Sequence, residues 1–166
     1  MRKLKIYLDT SVISHLDHKD TLEKMEQTHK LWEIIKSGKY DVVLGTTVFE
    51  EIEECSEEKK EILYHYLSKI NYSIMEKTET IRQLANEIIE QGILKKKHMD
   101  DCEHIATAIL SDCNIIVSWN FKHMVNVDTI NGIRTIAVAK RFTAIDVYPP
   151  NLLLKGEDED EQAGDK

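Results

Sequence analysis

The sequence predicts an α/β protein: a three-layer α/β/α fold around a central, mainly parallel sheet. Two observations carry that expectation. Short apolar runs, LKIYLD, YDVVLG and NIIVSW, alternate with amphipathic segments of helical period. Strands that alternate with helices pair in parallel and are covered on both faces. The chain also has 166 residues, 42% of them hydrophobic, which suits one domain with a sizeable core and no metal or disulfide needed to hold it together.

The elements follow in order. Leu4, Ile6 and Leu8 alternate in LKIYLD, a central strand. Residues 11 to 18 suit a short helix. From Asp20 to Lys36, Leu22, Met25, Leu31, Trp32 and Ile35 share a broad helical face, and Gly38 stops the helix. YDVVLG is a short buried strand, and Thr46 or Thr47 is placed to cap the helix VFEEIEEC. SEEKKEILYHYLSKI is a further amphipathic helix, and YSIM a short extended piece. Ile81, Leu84, Ala85, Ile88 and Ile89 repeat at the spacing of one buried helical face, ended by Gly92. Asp100 is placed to cap a helix whose Cys102, Ile105, Ala106 and Ile109 face the core. NIIVS is a strand, IRTIAVAKRF a helix, and AIDVY a last strand stopped by Pro149 and Pro150. Trp32 and Trp119 read as packing anchors.

Composition narrows the context. Cys55, Cys102 and Cys113 form no CxxC pair, and an odd count without a framework fits a reducing, cytoplasmic setting. The start MRKLKIYLD enters a strand directly, with no signal peptide expected. No apolar run approaches the ~20 residues of a membrane span. The net charge of −8 argues against a polyanionic partner, but its distribution weakens the objection. The last ten residues, EDEDEQAGDK, hold six acids and one lysine, leaving −3 for residues 1 to 156. The expected organisation is one domain over residues 1–154 and an acidic, disordered tail over 155–166.

The chemistry-bearing residues are acids at strand ends and helix starts. Asp9 ends the first strand, Glu51 lies one or two turns into the helix after YDVVLG, and Asp101 opens the helix CEHIATAIL. Asn120 follows NIIVSW. In parallel α/β sheets ligands bind outside the carboxyl ends of the strands. Acids that converge there repel one another unless a cation neutralises them, which is how proteins hold magnesium or manganese. Each residue also has a plainer reading. Asp101 is well placed to cap a helix, Glu50 competes with Glu51 in the run EEIEE, and Asn120 suits a turn. A haloacid-dehalogenase-type phosphatase is disfavoured because Ser11 stands where the second acid is needed, and a receiver domain lacks its acidic pair.

In this order LDTSVI, TTVFEEI, DCEHIATAI, IIVSWNFKHM and VYPPNLL resemble a PIN-domain nuclease, over residues 4 to 154. The resemblance implies that Asp9, Glu51 and Asp101 bind a divalent metal. Glu51-Ile52 matches the family's Glu-Leu pair, and Asp101 stands four residues before Ile105-Ala106-Thr107-Ala108. The family's fourth acid falls on Asn120, in a Trp-Asn-x-x-His variant, Trp119 to His123, which keeps an oxygen acceptor without its charge. Ser11 and Ser118 are expected to orient the carboxylates. The implied activity is a Mg²⁺- or Mn²⁺-dependent endoribonuclease, similar to the toxin of a VapC-like toxin–antitoxin pair. Its implied partners are RNA, an antitoxin protein and a second copy of the chain, with no membrane. Lys95, Lys96, Lys97, Lys122 and His123 are the candidate RNA-binding groups. The rival expectation is a non-catalytic RNA-binding or interaction module that retains the fold. A zinc site from His98, Cys102 and His104 is disfavoured, since Cys102 belongs to the apolar face.

Overall fold

The computed structural model describes residues 2–154; the expected acidic tail lies outside them. Five parallel strands form one sheet in the order β3-β2-β1-β4-β5: β1 Leu4–Leu8, β2 Tyr40–Gly45, β3 Ser73–Met75, β4 Ile115–Val117 and β5 Asp146–Tyr148. Seven α-helices flank it: α1 Thr10–Ser14, α2 Leu22–Lys36, α3 Thr46–Glu53, α4 Glu57–Leu67, α5 Glu79–Glu90, α6 Met99–Leu110 and α7 Val127–Ala139. The expected sheet is therefore present and wholly parallel among the described residues.

The chain runs from β1 outward through β2 to β3, then returns to lay β4 on the other side of β1. Strand order thus reverses between β1 and β4, with Leu8 paired to Val117. Crevices at such switch points, outside the carboxyl ends of the strands, are where open α/β sheets bind ligands. Asp9 and Ser118 are the residues that leave the two strands there, and the Asp9 N–H still donates to the Val117 carbonyl at 3.2 Å.

The core joins β1, β2 and β4 to helix faces of the expected period. Ile6, Leu8, Leu44, Ile116 and Val117 are fully buried. Cys102, Ile105, Ala106 and Ile109 are buried as the α6 pattern requires, while Ile89 at the end of the α5 stripe is only partly covered. Trp32 and Trp119 are anchors: their indole N–H groups donate to the Tyr66 carbonyl at 2.9 Å and to Thr28 Oγ1 at 2.8 Å. Gly38 and Gly92, with φ of +86° and +77°, end α2 and α5 in the left-handed region that glycine adopts at no steric cost.

Several local expectations are corrected. The helix expected over residues 11 to 18 is α1 followed by a separate 3₁₀ turn, His15–Asp17. α3 begins after Gly45, and neither threonine caps it: Thr46 Oγ1 accepts from the Lys77 N–H, and Thr47 Oγ1 donates to Glu103. Asp100 is not the cap of α6 either, because a 3₁₀ turn at Lys96–His98 runs straight into it and leaves Asp100 inside the first turn. α7 starts at Val127, capped by Asn126, earlier than the IRTIAVAKRF pattern marks.

Gly45 has a packing role that bears on the site. A Cβ there would lie 2.9 Å from Tyr7 Oη and 3.2 Å from Thr107 Cγ2. Tyr7 is fully buried, and its hydroxyl is held by His104. Gly45→Ala is expected to cost about 1–3 kcal/mol by overpacking, read as a lower urea midpoint at unchanged slope. An unchanged midpoint would show that the Tyr7 hydroxyl has room to move.

Candidate active site

Four elements bring the predicted residues into one cleft of about 250 Å³, lined by Asp9, Thr10, Ser11, Ser14, Glu51, Asp101, His104 and Asn120. β1 delivers Asp9, α3 Glu51, α6 Asp101 and His104, and the turn after β4 Asn120. Asp9 is 2% exposed and forms the floor. Its Oδ1 accepts from Ser11 Oγ at 2.5 Å and from the Val12 N–H at 3.3 Å, so it also caps α1. Burial pushes the Asp9 carboxyl up, partly offset by the charge of His104 and the hydroxyls of Ser11 and Ser118. Ser11 and Ser118 therefore stand where the carboxylate needs donors, 3.4 Å from each other.

Glu51, not Glu50, faces the cleft. Glu50 points away and pairs with Lys77, which also binds Glu103. Glu51 Oε1 accepts from Thr10 Oγ1 at 2.9 Å and lies 2.6 Å from His104 Nε2. Asp101 sits at the rim in the first turn of α6, partly buried, which goes beyond capping. Asn120 lines the cleft, but its Oδ1 accepts the His123 N–H at 3.0 Å, so the turn role is real and one lone pair is already used.

Sequence reasoning met His104 only as a letter of the DCEHIATAI motif and as a disfavoured zinc ligand, and missed its place in the cleft. His104 stands three residues after Asp101 on the same face of α6, and Tyr7 stands two before Asp9 on the same side of β1. Their side chains meet, with Tyr7 Oη 2.5 Å from His104 Nδ1, completing a buried chain from Tyr7 through His104 to Glu51. Burial pushes His104 down, but the bond to Glu51 and the charges of Asp9, Glu51 and Asp101 outweigh it, and the imidazole is raised overall. Glu51 shows the converse: burial pushes it up, His104 and Thr10 more than compensate, and it is lowered. Burial, then the charges of Asp9 and Glu51, hold the Tyr7 phenol well above its ordinary value, so it stays neutral.

Asp101 is pushed up to about 6, chiefly by burial and then by Asp9, Glu51 and Asp100, with His104 pulling the other way. The folded protein thus holds this proton more tightly than the unfolded chain. Stability from Asp101 is present at low pH and lost as pH rises through about 6. Asp101→Asn is therefore expected to stabilise the metal-free protein near neutral pH by about 1–2 kcal/mol, discounted for partial exposure, with the gain vanishing toward pH 4. Urea unfolding of both proteins across that range checks it; an equal or larger destabilisation at neutral pH would contradict it.

The donor set is all oxygen, which suits Mg²⁺ or Mn²⁺. Three carboxyl groups converge on the cleft, with the His104 imidazole, raised from its ordinary value by their charges, beside them. Among the described residues no three His, Cys, Asp or Glu side chains already surround one point closely enough to hold an ion. Glu51 is turned toward His104 and Thr10, so an ion held by all three acids requires that carboxylate to reorient.

The candidate RNA-binding residues lie beside this cleft. Lys95, Lys97, His98, Lys122 and His123 line a neighbouring cavity of about 680 Å³, with the His98 and His123 rings 3.7 Å apart. Lys96 does not line it; it is exposed on the outside of the Lys96–His98 turn. No helix among the described residues is long and apolar enough to cross a membrane.

No protein-family model matches the chain, and no curated protein does. Among solved structures the chain is similar to one in the crystal structure of VapBC2 from Rickettsia felis bound to a DNA fragment from their promoter. The match has a TM-score of 0.56 and 13% identity, and covers 88% of this chain and 98% of that one. At that identity the likeness speaks for architecture alone. Sheet order, helix placement and this match together give the chain a three-layer α/β/α, PIN-like fold.

Proposed function

We propose that this chain is a metal-dependent endoribonuclease that hydrolyses RNA phosphodiester bonds. The observation that carries the reading is the meeting of Asp9, Glu51 and Asp101 in one recessed cleft at the strand-order switch, with Asn120 at its edge. Asp9, Asp101, Glu51 and Asn120 would hold Mg²⁺ or Mn²⁺, which when bound supplies Lewis-acid stabilisation of charge developing on the phosphodiester. Asp9 is the fixed donor, locked by Ser11 and the α1 N-terminus. Asp101 and Glu51 would complete the cage or, through waters, serve as base toward the attacking water. His104 positions Glu51 and offsets its charge. Lys95, Lys97, Lys122 and His123 attract the substrate phosphates beside the cleft.

The motif resemblance extends the reading to a toxin that acts in the cytoplasm, dimerises and is restrained by an antitoxin partner, and the likeness in fold to a chain of the VapBC2 structure supports it. The test is an assay on total cellular RNA with mapped ends, with Mg²⁺ or Mn²⁺ and then with excess EDTA. Discrete new ends that vanish with EDTA support the proposal; no cleavage under any condition refutes it. One observation favours the rival, a non-catalytic RNA-binding module: the fourth position is an uncharged Asn whose oxygen already serves the His123 N–H. A rise in melting temperature with Mn²⁺ but no cut in any RNA would select that rival.

A further inference from the structure

The sheet has a notch at the pole opposite the cleft. β3 is three residues long, and its register pairs it only with Val43, Leu44 and Gly45 of β2. The outer edge of β2 from Tyr40 to Val42 therefore meets no strand, although its inner edge is paired with β1 from Leu4 onward. The carboxyl ends of α2, α4 and α6 close round the gap. The result is an open cavity of about 740 Å³, within the roughly 300–1,000 Å³ of sites that hold small molecules. It shares no lining residue with the acidic cleft.

Its charge is opposite to that of the molecule. Lys3, Lys5, Lys36 and Lys69 line it against one acid, Asp41, which leaves +3 in a chain of net charge −8. Three helix carboxyl ends offset only part of this, at about half a charge each. Two of the lysines have other work. The Lys5 ammonium donates to the Ser111 carbonyl at 3.1 Å, and Lys36 pairs with Glu33 at 2.9 Å. Lys3 and Lys69 have no hydrogen-bond or ion-pair partner among the described residues. Ser111 also lines the cavity, and its Oγ is buried without a partner, which a ligand oxygen would supply. The remaining wall is apolar: Ile35, Val43 and Ile70 are buried, and Tyr72 and Met75 half-buried.

We infer that this cavity binds a small phosphorylated molecule with a flat apolar body, of the size of a nucleoside monophosphate. A phosphate monoester above its second pKa of about 6 carries close to two negative charges, which matches the two unpaired ammonium groups. Lysine binds phosphate as a point charge, so no fixed fork is needed. The apolar wall takes the body, as in small-molecule sites generally. Lys5 lies four residues before Asp9, about 13 Å of strand, so occupancy leaves the cleft open. The site is therefore separate from the ribonuclease reading and does not depend on it.

The test uses the full chain in excess EDTA, which keeps metal-borne binding in the acidic cleft out of the readout. Phenyl phosphate, AMP, adenosine and inorganic phosphate are titrated at about pH 7.5, where the esters are dianions. Binding is followed by calorimetry and by the amide shifts of Val43, Ser73 and Ser111. Both esters should saturate and move these amides, while those of Thr10 and Glu51 stay still. Adenosine and inorganic phosphate, each half of the ligand, should bind at least about tenfold more weakly than AMP. Lys3→Gln/Lys69→Gln should weaken AMP by about tenfold or more. Its melting temperature should match wild type, since both side chains are exposed. Lys95→Gln/Lys97→Gln, at the other basic cavity, should leave AMP binding unchanged. The inference is overturned if neither ester binds the wild type, or if Lys3→Gln/Lys69→Gln binds AMP equally well. Loss of binding in Lys95→Gln/Lys97→Gln alone, or inorganic phosphate binding as tightly as AMP, overturns it too.

Discussion

Replacing Asp9 by Asn is expected to lower RNA cleavage by about 10³-fold or more while leaving the fold intact. The first half follows from the role of the floor carboxylate, since the several kcal/mol of charge stabilisation that an ion supplies depends on the donor that fixes it. The second half follows from local bonding. Asp9 Oδ1 accepts from Ser11 and from the Val12 N–H, and an Asn carbonyl accepts from both. The carboxylate is also paying a desolvation penalty at neutral pH, which the neutral amide does not. Urea unfolding should therefore show equal or greater stability in the variant, beside lost cleavage. Full activity would remove Asp9 from the chemistry; an unfolded variant would mean the hydrogen bonds through Ser11 demand the charge.

His104→Ala should have the second largest effect, and it should differ in kind. It breaks the chain from Tyr7 to Glu51, leaves the buried Tyr7 hydroxyl without its His104 partner and Glu51 with Thr10 alone, and removes the imidazole that faces Asp9, Glu51 and Asp101. The loss is expected to be about 2–4 kcal/mol of stability together with at least about 10²-fold in cleavage. His104→Gln separates geometry from charge, because an amide can still donate to Glu51 while carrying no charge. Stability restored in part, with Mn²⁺ dependence moved to higher concentration, would identify His104 as a positioning residue for Glu51. Wild-type cleavage in the alanine variant would show that Glu51 needs no such support.

The sheet and its helices were legible in the chain because each buried element carries a clear period: alternation in LKIYLD, and the stripe from Ile81 to Ile88 in α5. Helix starts were harder. Thr46 and Thr47 have the chemistry of caps, but Lys77 and Glu103, distant in sequence, claim their hydroxyls. The same distant lysine draws Glu50 out of the cleft, which the run EEIEE alone cannot reveal. The acids themselves were readable from their places after strands and at a helix start. What was not readable was the imidazole among them. His104 looked like one letter of a motif, although its i, i+3 spacing from Asp101 put both on one helical face. Tyr7 looked like an ordinary strand residue, although it shares a side of β1 with Asp9.

The account rests on one divalent ion gripped by acids from β1, α3 and α6. Calorimetric titration of Mn²⁺ into wild type, Asp9→Asn and Asp101→Asn at neutral pH tests that directly. The prediction is saturable binding in the wild type, abolished in Asp9→Asn, at least tenfold weaker in Asp101→Asn, and fading in the wild type as pH falls below about 6, where Asp101 takes up its proton. No binding to the wild type, or equal binding to all three proteins, would contradict it.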